Sequence, residues 1–254
     1  MPNRIITRHK LATSVAIILA LVLQTRVLAA DPAQDRTIAD SLAAMLQAGR
    51  AVISANQARI NDPSLGPKGL DGKTVLADAV ARYKSATGAD PIATDPASHQ
   101  ATLMQALMDS IVVVVDAAQP DINAKGVGFK GFIPAVFGRL VSEEFDRRAT
   151  GKATMKVTAP LDRVRNRAAR PDAFETQVID EKFLAPGWVR GTPYAATVQQ
   201  GGVNAFRVMV PEYYAASCLA CHGTPKGSTD ITGYPREGFA EGDLGGVISI
   251  TLLH

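Results

Sequence analysis

Apolar residues between positions 31 and 150 recur with the period of an α-helix, and the pattern occurs twice. Leu42, Met45, Leu46, Val52 and Ile53 are separated by intervals of three, four and seven, the spacing of the buried face of an amphipathic helix. A shift of 62 positions carries them onto a second apolar set, formed by Met104, Leu107, Met108, Val114 and Val115. A fixed offset of this kind indicates a supersecondary unit that is used twice.

The residues that follow each predicted helix repeat with the same offset. The matched pairs are Gln57 and Gln119, Ile60 and Ile122, Asn61 and Asn123, Gly66 and Gly128, Lys68 and Lys130, and Gly69 and Gly131. Each unit is therefore predicted to be a long helix, a glycine-containing loop and a second helix, with residues 88–97 as the linker between units. We expect residues 31–150 to form two helical hairpins packed on each other.

Beyond residue 150 the pattern changes to the alternation typical of β-strands. Met155 and Val157 alternate with polar neighbours, which predicts a half-buried strand. Two β-prone runs, at 194–199 and 203–210, flank the dipeptide Gly201-Gly202. This combination predicts a β-hairpin.

The remaining segments complete an α+β fold class. Residues 171–184 have helical character, and residues 247–253 predict a last strand with alternate apolar positions. Strands joined by helices without a regular βαβ alternation favour an antiparallel sheet. We therefore divide the chain into a helical part, 31–150, and a sheet-forming part, 151–254, and expect the two to form one compact unit.

The first 30 residues have the composition of a secretory signal. Arg4, Arg8 and Lys10 form a positive segment, residues 11–23 an apolar segment, and residues 27–30 a small-residue cleavage site. An uncleaved anchor is the alternative, although the apolar run is shorter than the ~20 residues of a typical span. No second apolar run of spanning length is recognised. Under both interpretations the rest of the chain is exported, and we expect a periplasmic location.

Net charge depends on this leader. The whole chain has 27 basic and 24 acidic residues, a formal charge of +3. Without the leader, whose charged residues are Arg4, Arg8, Lys10 and Arg26, 23 basic residues face 24 acidic ones. A nucleic-acid-binding protein usually has a basic footprint, so we expect no nucleic-acid partner.

The chain's two cysteines lie in one five-residue motif, Cys218-Leu219-Ala220-Cys221-His222. This is the spacing of a c-type haem attachment site. Two cysteines three apart share one face of a helix, where both sulfurs can form thioethers with the vinyl groups of one haem. His222 can then bind the iron through a neutral imidazole. The motif predicts one covalent haem c.

Three other interpretations of the motif are weaker. A disulfide between Cys218 and Cys221 would close a very short loop and stabilise little. A zinc site needs about four ligands. A thioredoxin-like pair lies at the start of a helix in a βαβ pattern. Export also favours haem, because covalent haem attachment in bacteria is completed outside the cytoplasm.

The position of the motif excludes the small cytochrome c fold. That fold carries the motif early and takes its second axial ligand from a later methionine, whereas here 32 residues follow His222 and none is methionine. The sixth iron ligand must come from elsewhere in the chain, and His99, Met209 and Met155 are the candidates. An open or water-bound iron is the alternative.

A basic stretch precedes the predicted helix at 171–184. It contains Arg163, Arg165, Arg167 and Arg170. Basic runs commonly form a solvated turn. The functional alternative is that one or two of the guanidinium groups hold the haem propionates through bidentate contacts.

Several segments together resemble a known family. They are Gly131-Phe132-Ile133-Pro134-Ala135, Arg165-Asn166, Pro171-Asp172-Ala173-Phe174-Glu175, Tyr213-Tyr214, Cys218 to Gly223, and Glu241 to Gly246. From about Arg50 to Leu252 the chain resembles exported single-haem c-type sensor domains with a PAS-like fold, which occur alone or ahead of chemoreceptor and kinase modules.

The resemblance implies a central antiparallel sheet covered by N-terminal helices, with haem at the sheet edge and His222 as the proximal iron ligand. It places Arg165, Asn166 and Tyr214 beside the cofactor. In one departure, the family often has Arg-Asn-Pro where this chain has Arg165-Asn166-Arg167. The turn, or its contact with the propionates, is therefore expected to differ.

These observations favour a periplasmic monohaem protein that senses redox state or a diatomic gas and signals to a separate protein partner through its N-terminal helices. A soluble electron carrier with a redox partner is the alternative. The haem maturation machinery is an implied partner of both. No distal His and Arg pair of a peroxidase can be recognised, so we expect no enzymatic activity.

Overall fold

A helical layer forms the first half of the computed structural model, which describes residues 31–92 and 95–254. Its helices are α1 (Pro32–Ala55), α2 (Gln57–Ile60), α3 (Gly72–Thr87), α4 (His99–Ala117), α5 (Gln119–Ile122) and α6 (Pro134–Arg148). The end of α1 and the whole of α2 recur, 62 positions later, as the end of α4 and the whole of α5. The predicted secretory signal, residues 1–30, lies outside the described residues.

Local sequence explains where the long helices begin and end. Asp31, Asp71 and Ser98 cap α1, α3 and α4 by accepting backbone N–H bonds, which satisfies donors that a helix start leaves free. Gly88, with φ of 70°, ends α3 in the left-handed conformation that glycine adopts without steric cost. The predicted linker, residues 88–97, therefore begins with the C-terminal cap of α3 and leads towards α4, the first helix of the second unit.

Reciprocal hydrogen bonds join the two units. Asn123 Oδ1 accepts from the Lys68 backbone N–H at 2.8 Å, and Asn61 Oδ1 accepts from the Lys130 N–H at 3.1 Å. The Lys68 ammonium donates to two carbonyls of its own loop, and the Lys130 ammonium donates to the two carbonyls 62 positions further on. The two hairpins are thus related by an approximate two-fold axis.

An antiparallel sheet forms the second half of the described chain. Its strands are β1 (Ala153–Thr158), β2 (Tyr194–Gln200), β3 (Val203–Tyr213) and β4 (Leu244–Leu253), in the order β1-β4-β3-β2. Gly201 and Gly202, with φ of 59° and 83°, make the tight turn between β2 and β3. The predicted α+β class, antiparallel sheet and hairpin are therefore confirmed.

Short helices cover the sheet on the side away from the long ones. Helix α7 (Ala173–Val178) continues into a π-helical turn, Ile179–Phe183, within the segment predicted to be helical. Asp172 and Glu175 form a capping box at its start. A one-turn helix, α8 (Leu219–His222), contains the end of the cysteine motif.

The sheet has an apolar core on each face. On one face Phe206, Val208, Ile248 and Ile250 pack with the buried stripes of α1, α3, α4 and α6 in a single cluster. On the other face Met209 and Val247 pack with α7 and the turn that follows it. The larger cluster contains residues from both halves of the chain, so helices and sheet share one core.

Among the described residues, one helix, α4, is long and apolar enough to cross a membrane. This corrects the expectation that no second apolar run of spanning length exists. Its Leu103, Leu107, Ile111 and Val115 are fully buried, because α4 packs against α1, α3 and α6. In the structure α4 is therefore a core helix of the helical layer.

Candidate functional site

The cysteine motif lies where β3 ends and β4 begins. After β3 the Tyr214 N–H donates to the Asp243 carbonyl at 2.9 Å, which ties the chain to the start of β4. A 3₁₀ turn, Ala216–Cys218, leads directly into α8. The motif is therefore held at one end of the two central strands.

Both cysteines are free thiols with partly exposed side chains. Cys218 is the last residue of the 3₁₀ turn and directly precedes α8, and Cys221 lies within α8. Burial, with Asp230 nearby, raises the pKa of the Cys221 thiol above its ordinary value. No disulfide joins the two cysteines in the structure. The zinc alternative lacks ligands, since no cluster of three or more His, Cys, Asp or Glu side chains suited to a metal occurs in the described part of the chain.

The imidazole of His222 is held in one orientation. Its Nδ1 lies 2.8 Å from Glu237 Oε2 and 3.4 Å from the Tyr214 hydroxyl. Burial, together with the charge of Arg165, lowers the pKa of His222, so the ring is neutral near pH 7. Neutral imidazole with Nδ1–H donating to a carboxylate has its lone pair on Nε2. Within residues 31–92 and 95–254, Nε2 has no hydrogen-bond partner.

Arg165 forms hydrogen bonds to Glu237, the hydrogen-bond partner of His222. Its Nε and Nη2 donate to the two oxygens of Glu237 at 2.7 and 2.9 Å, a bidentate contact. Nη2 also donates to the Cys221 carbonyl at 2.9 Å, and Nη1 donates to Asp230 Oδ2 at 2.6 Å. Arg165 therefore links the cysteine motif to the loop that follows it.

Asp230 completes the network. Its side chain is buried, and its Oδ1 accepts from the backbone N–H groups of Thr232 and Tyr234 and from the Thr232 hydroxyl. These bonds and the bond from Arg165 hold the pKa of Asp230 well below its usual range against the effect of burial. The loop between α8 and β4 is folded around this carboxylate.

Aromatic rings stack beside His222. The Tyr214 ring lies 4.8 Å from the imidazole at 24°, and 5.6 Å from the Phe239 ring at 27°. The Arg163 guanidinium lies 4.1 Å from the centre of the Phe239 ring, a cation–π distance. Burial raises the pKa of Tyr214 above its ordinary value, so the hydroxyl stays protonated.

Asn166 has a local structural role. It is exposed, and its Oδ1 accepts from the Ala168 N–H at 3.0 Å, capping the 3₁₀ turn Arg167–Ala169. Arg167 opens that turn, at a position that also suits proline. The difference from the family pattern expected at this position stays a prediction.

The structure does not bring the candidate sixth ligands together with His222. His99 begins α4 and lies near the charges of Lys152, His254 and Asp35, at the end of β4 opposite the motif. Met155 is buried in the core between sheet and helices. Met209 is fully buried on the other face of the sheet among Val178, Ile179 and Phe183. Each is explained by packing or by a distant location.

Of the predicted site residues, Cys218, Cys221, His222, Arg165 and Tyr214 are brought together. Sequence reasoning missed Glu237, Asp230 and Phe239. Glu237 lies 15 residues after His222 in an irregular loop, and no periodicity or motif spacing marks it. A carboxylate that follows shortly after the histidine of the motif is a signal that sequence reasoning could have used.

A comparison with family models shows to which protein family the chain belongs. The model of the Tll0287-like family, Tll0287, matches residues 32–252. The chain belongs to the Tll0287-like family. The match covers the helical layer, the cysteine motif and the four strands except the last residue of β4. Neither the curated proteins nor the solved structures gave a significant match to the chain.

Proposed function

We propose that this protein is an exported, single-haem c-type protein whose haem is attached through Cys218 and Cys221, with His222 as an iron ligand. The observation that carries the proposal is the hydrogen bond between His222 Nδ1 and Glu237. It leaves Nε2 available as an iron ligand, in the same motif as two cysteines that form no disulfide. Residues 1–30 supply the proposed export signal. The antiparallel sheet covered by helices supports a PAS-like fold.

The donor set fits haem c. Each thiol can add across one vinyl group, so that a C–S bond forms and the thiol hydrogen passes to the other vinyl carbon without any oxidant. The neutral imidazole is a good ligand for iron. When bound, haem c supplies a one-electron Fe(III)/Fe(II) couple. The chain's part is to hold His222 in one tautomer and to present both thiols on one short segment.

Mass spectrometry tests the attachment. The protein is produced in a bacterial periplasm together with haem maturation proteins, and we expect the mass of one haem that acid-acetone extraction does not remove. In Cys218→Ser with Cys221→Ser this added mass is lost, while Ser217→Ala, a neighbouring control, retains it. A wild-type chain that gains no mass under these conditions contradicts the proposal.

For the biological role we propose sensing of redox state or a diatomic gas, with signalling to a separate protein. A contact between site and helices supports this role. Glu212, two residues before Tyr214, forms an ion pair with Arg50 of α1. Both side chains are largely buried. A shift of Tyr214 against His222 would therefore act on α1 through a short connection.

Electron transfer without sensing is the second candidate. It is favoured by the stack that runs from His222 through Tyr214 and Phe239 to Arg163, which provides a rigid, packed environment. Absorption and electron paramagnetic resonance spectra in both redox states separate the two functions. A carrier keeps the same two axial ligands in both states. A sensor changes ligation on reduction or binds carbon monoxide or nitric oxide, and unchanged spectra with both gases contradict gas sensing.

A further inference from the structure

We propose that Glu237 is a positioning residue that sets a low reduction potential, by accepting the Nδ1–H bond of the iron-binding His222 while Arg165 and Asp230 hold it in place. This inference rests on the proposed haem attachment. It assigns a role to residues that the attachment motif does not include.

The acceptor is a carboxylate. Glu237 Oε2 lies 2.8 Å from His222 Nδ1. Hydrogen bonds to charged acceptors are shorter and stronger than those to neutral ones. Such a partner fixes the tautomer of a metal-binding histidine and increases its basicity. A more basic imidazole donates more electron density and favours the more highly charged ferric ion.

Arg165 prevents Glu237 from moving away. Its bidentate contact takes both Glu237 oxygens, and Oε2 is shared between Arg165 and His222. A bidentate guanidinium contact of this kind favours the charged form of the carboxylate. Glu237 therefore stays ionised while it accepts from His222.

The charge of Arg165 does not cancel that of Glu237, because Arg165 is shared. Its Nη1 is bound to Asp230, which is also ionised. One positive charge thus faces two negative ones beside the imidazole. Arg165 is therefore shared between two carboxylates and does not fully neutralise Glu237.

The backbone around His222 limits adjustment of the ring. The His222 carbonyl accepts from the N–H groups of Gly238 at 3.1 Å and Phe239 at 2.9 Å. These residues directly follow Glu237, so the carboxylate and the imidazole are anchored to the same short segment. Tyr214 covers one face of the ring. The hydrogen bond to Glu237 therefore persists in both oxidation states.

Redox titration of Glu237→Gln in the full haem-bound chain tests the inference. Glutamine keeps an acceptor oxygen but removes the charge, so we expect the Fe(II) form to gain at least about tenfold over Fe(III), a rise of about 59 mV for one electron. The matched control is Glu241→Gln, which removes the same charge from an exposed position four residues away. We expect its potential to stay close to that of the wild type.

The Fe–His stretching frequency provides a readout that a loss of stability would not move. It is measured by resonance Raman on the five-coordinate ferrous haem, which photolysis of the carbon monoxide adduct produces where a sixth ligand is present. We expect a lower frequency in Glu237→Gln and no change in Glu241→Gln. If Glu237→Gln does not fold, the wild type suffices, since a frequency equal to that of haem c proteins whose histidine donates to a carbonyl overturns the inference.

The outcomes separate this inference from the proposed function. Covalent haem in all variants with equal potentials in Glu237→Gln and Glu241→Gln overturns the role of Glu237 and leaves haem attachment intact. A wild-type chain without covalent haem overturns both. A higher potential and a lower frequency in Glu237→Gln alone support the role of Glu237.

Discussion

Asp146 near the end of α6 joins the helical layer to the sheet through one hydrogen bond. Its Oδ1 accepts from the Met155 N–H of β1 at 2.6 Å. Burial raises the pKa of this carboxyl from 3.8 to about 6, the Met155 bond opposes the rise, and Glu143 adds to it. The protonated form is thus favoured in the folded state.

Asp146 should therefore contribute stability that is lost as pH rises from about 4 to about 6. Over this range the folded state keeps a proton on Asp146 that the unfolded state has lost, so the free energy of unfolding decreases with pH. Below this window the contribution is fully present, and above about 6 it is gone. Urea unfolding of Asp146→Asn, which keeps the Oδ1 acceptor, should show a smaller decrease than the wild type.

Asp78→Asn is the matched control, since this aspartate is exposed on α3 and forms no hydrogen bond or ion pair within the described residues. Its pH dependence should equal that of the wild type. An identical decrease in wild type and Asp146→Asn would show that other groups cause it.

Single residues also show which parts of the candidate site can be predicted from the sequence. Cys218, Cys221 and His222 are predictable because their chemistry requires one local spacing. Glu237 and Asp230 are not, because their roles depend on Arg165, more than 60 residues earlier. Arg165 is one of the four arginines of which one or two are candidates for holding the haem propionates, the alternative being a solvated turn. That role stays a prediction, but the donors of this guanidinium point to protein acceptors.

Among the elements, the loops that follow α2 and α5 show most clearly how the repeat joins the two helical units. Asn123 and Asn61 each accept a backbone N–H from the opposite unit. The two bonds are equivalent by the repeat but differ in burial. Lys68 is completely buried, whereas Lys130 is half-buried.

Asn123→Ala should destabilise the protein by about 1–3 kcal/mol, because it leaves the buried Lys68 N–H without a partner. Asn61→Ala should cost less, since water can reach Lys130. Urea unfolding followed by circular dichroism measures both. Asn56→Ala is the control, because the equivalent position in the second unit is already Ala118. A control that costs as much as Asn123→Ala contradicts this explanation.

Element type was predictable wherever a period was sustained. The stripes of α1 and α4 and the hairpin at Gly201-Gly202 follow from local pattern and turn chemistry. The strand order β1-β4-β3-β2 could not be derived. This order requires the last strand to pair with the first strand on one side and with the hairpin on the other. The pairing joins segments that are far apart in the chain, so no single segment of the sequence predicts it.

For the whole molecule, the shared core makes the helices and the sheet one unit of stability. The main apolar cluster combines the four long helices with residues of three strands, β1, β3 and β4. The Arg50–Glu212 ion pair adds a polar link between the same layers. Neither layer can separate without exposing most of this cluster to water.

Unfolding should therefore be a single transition despite the length of the chain. Far-ultraviolet circular dichroism reports mainly the helices. Trp188, the single tryptophan, packs 5.8 Å from Phe183 on the far side of the sheet. In a urea titration the two signals should change together. Fluorescence that changes at a lower urea concentration than circular dichroism would indicate two separate units.

The approximate two-fold axis passes near Gly49 and Ile111, which are equivalent by the repeat. A Cβ added to Gly49 would lie 3.5 Å from Ile111 Cδ1 and 3.0 Å from two atoms of the Phe137 ring. A pair of identical subunits must place the same residue on both sides of such an axis. Two isoleucines would collide there, and two glycines would leave a hole. Covalent fusion of the copies removes this restriction, so that evolution could enlarge one side and shrink the other.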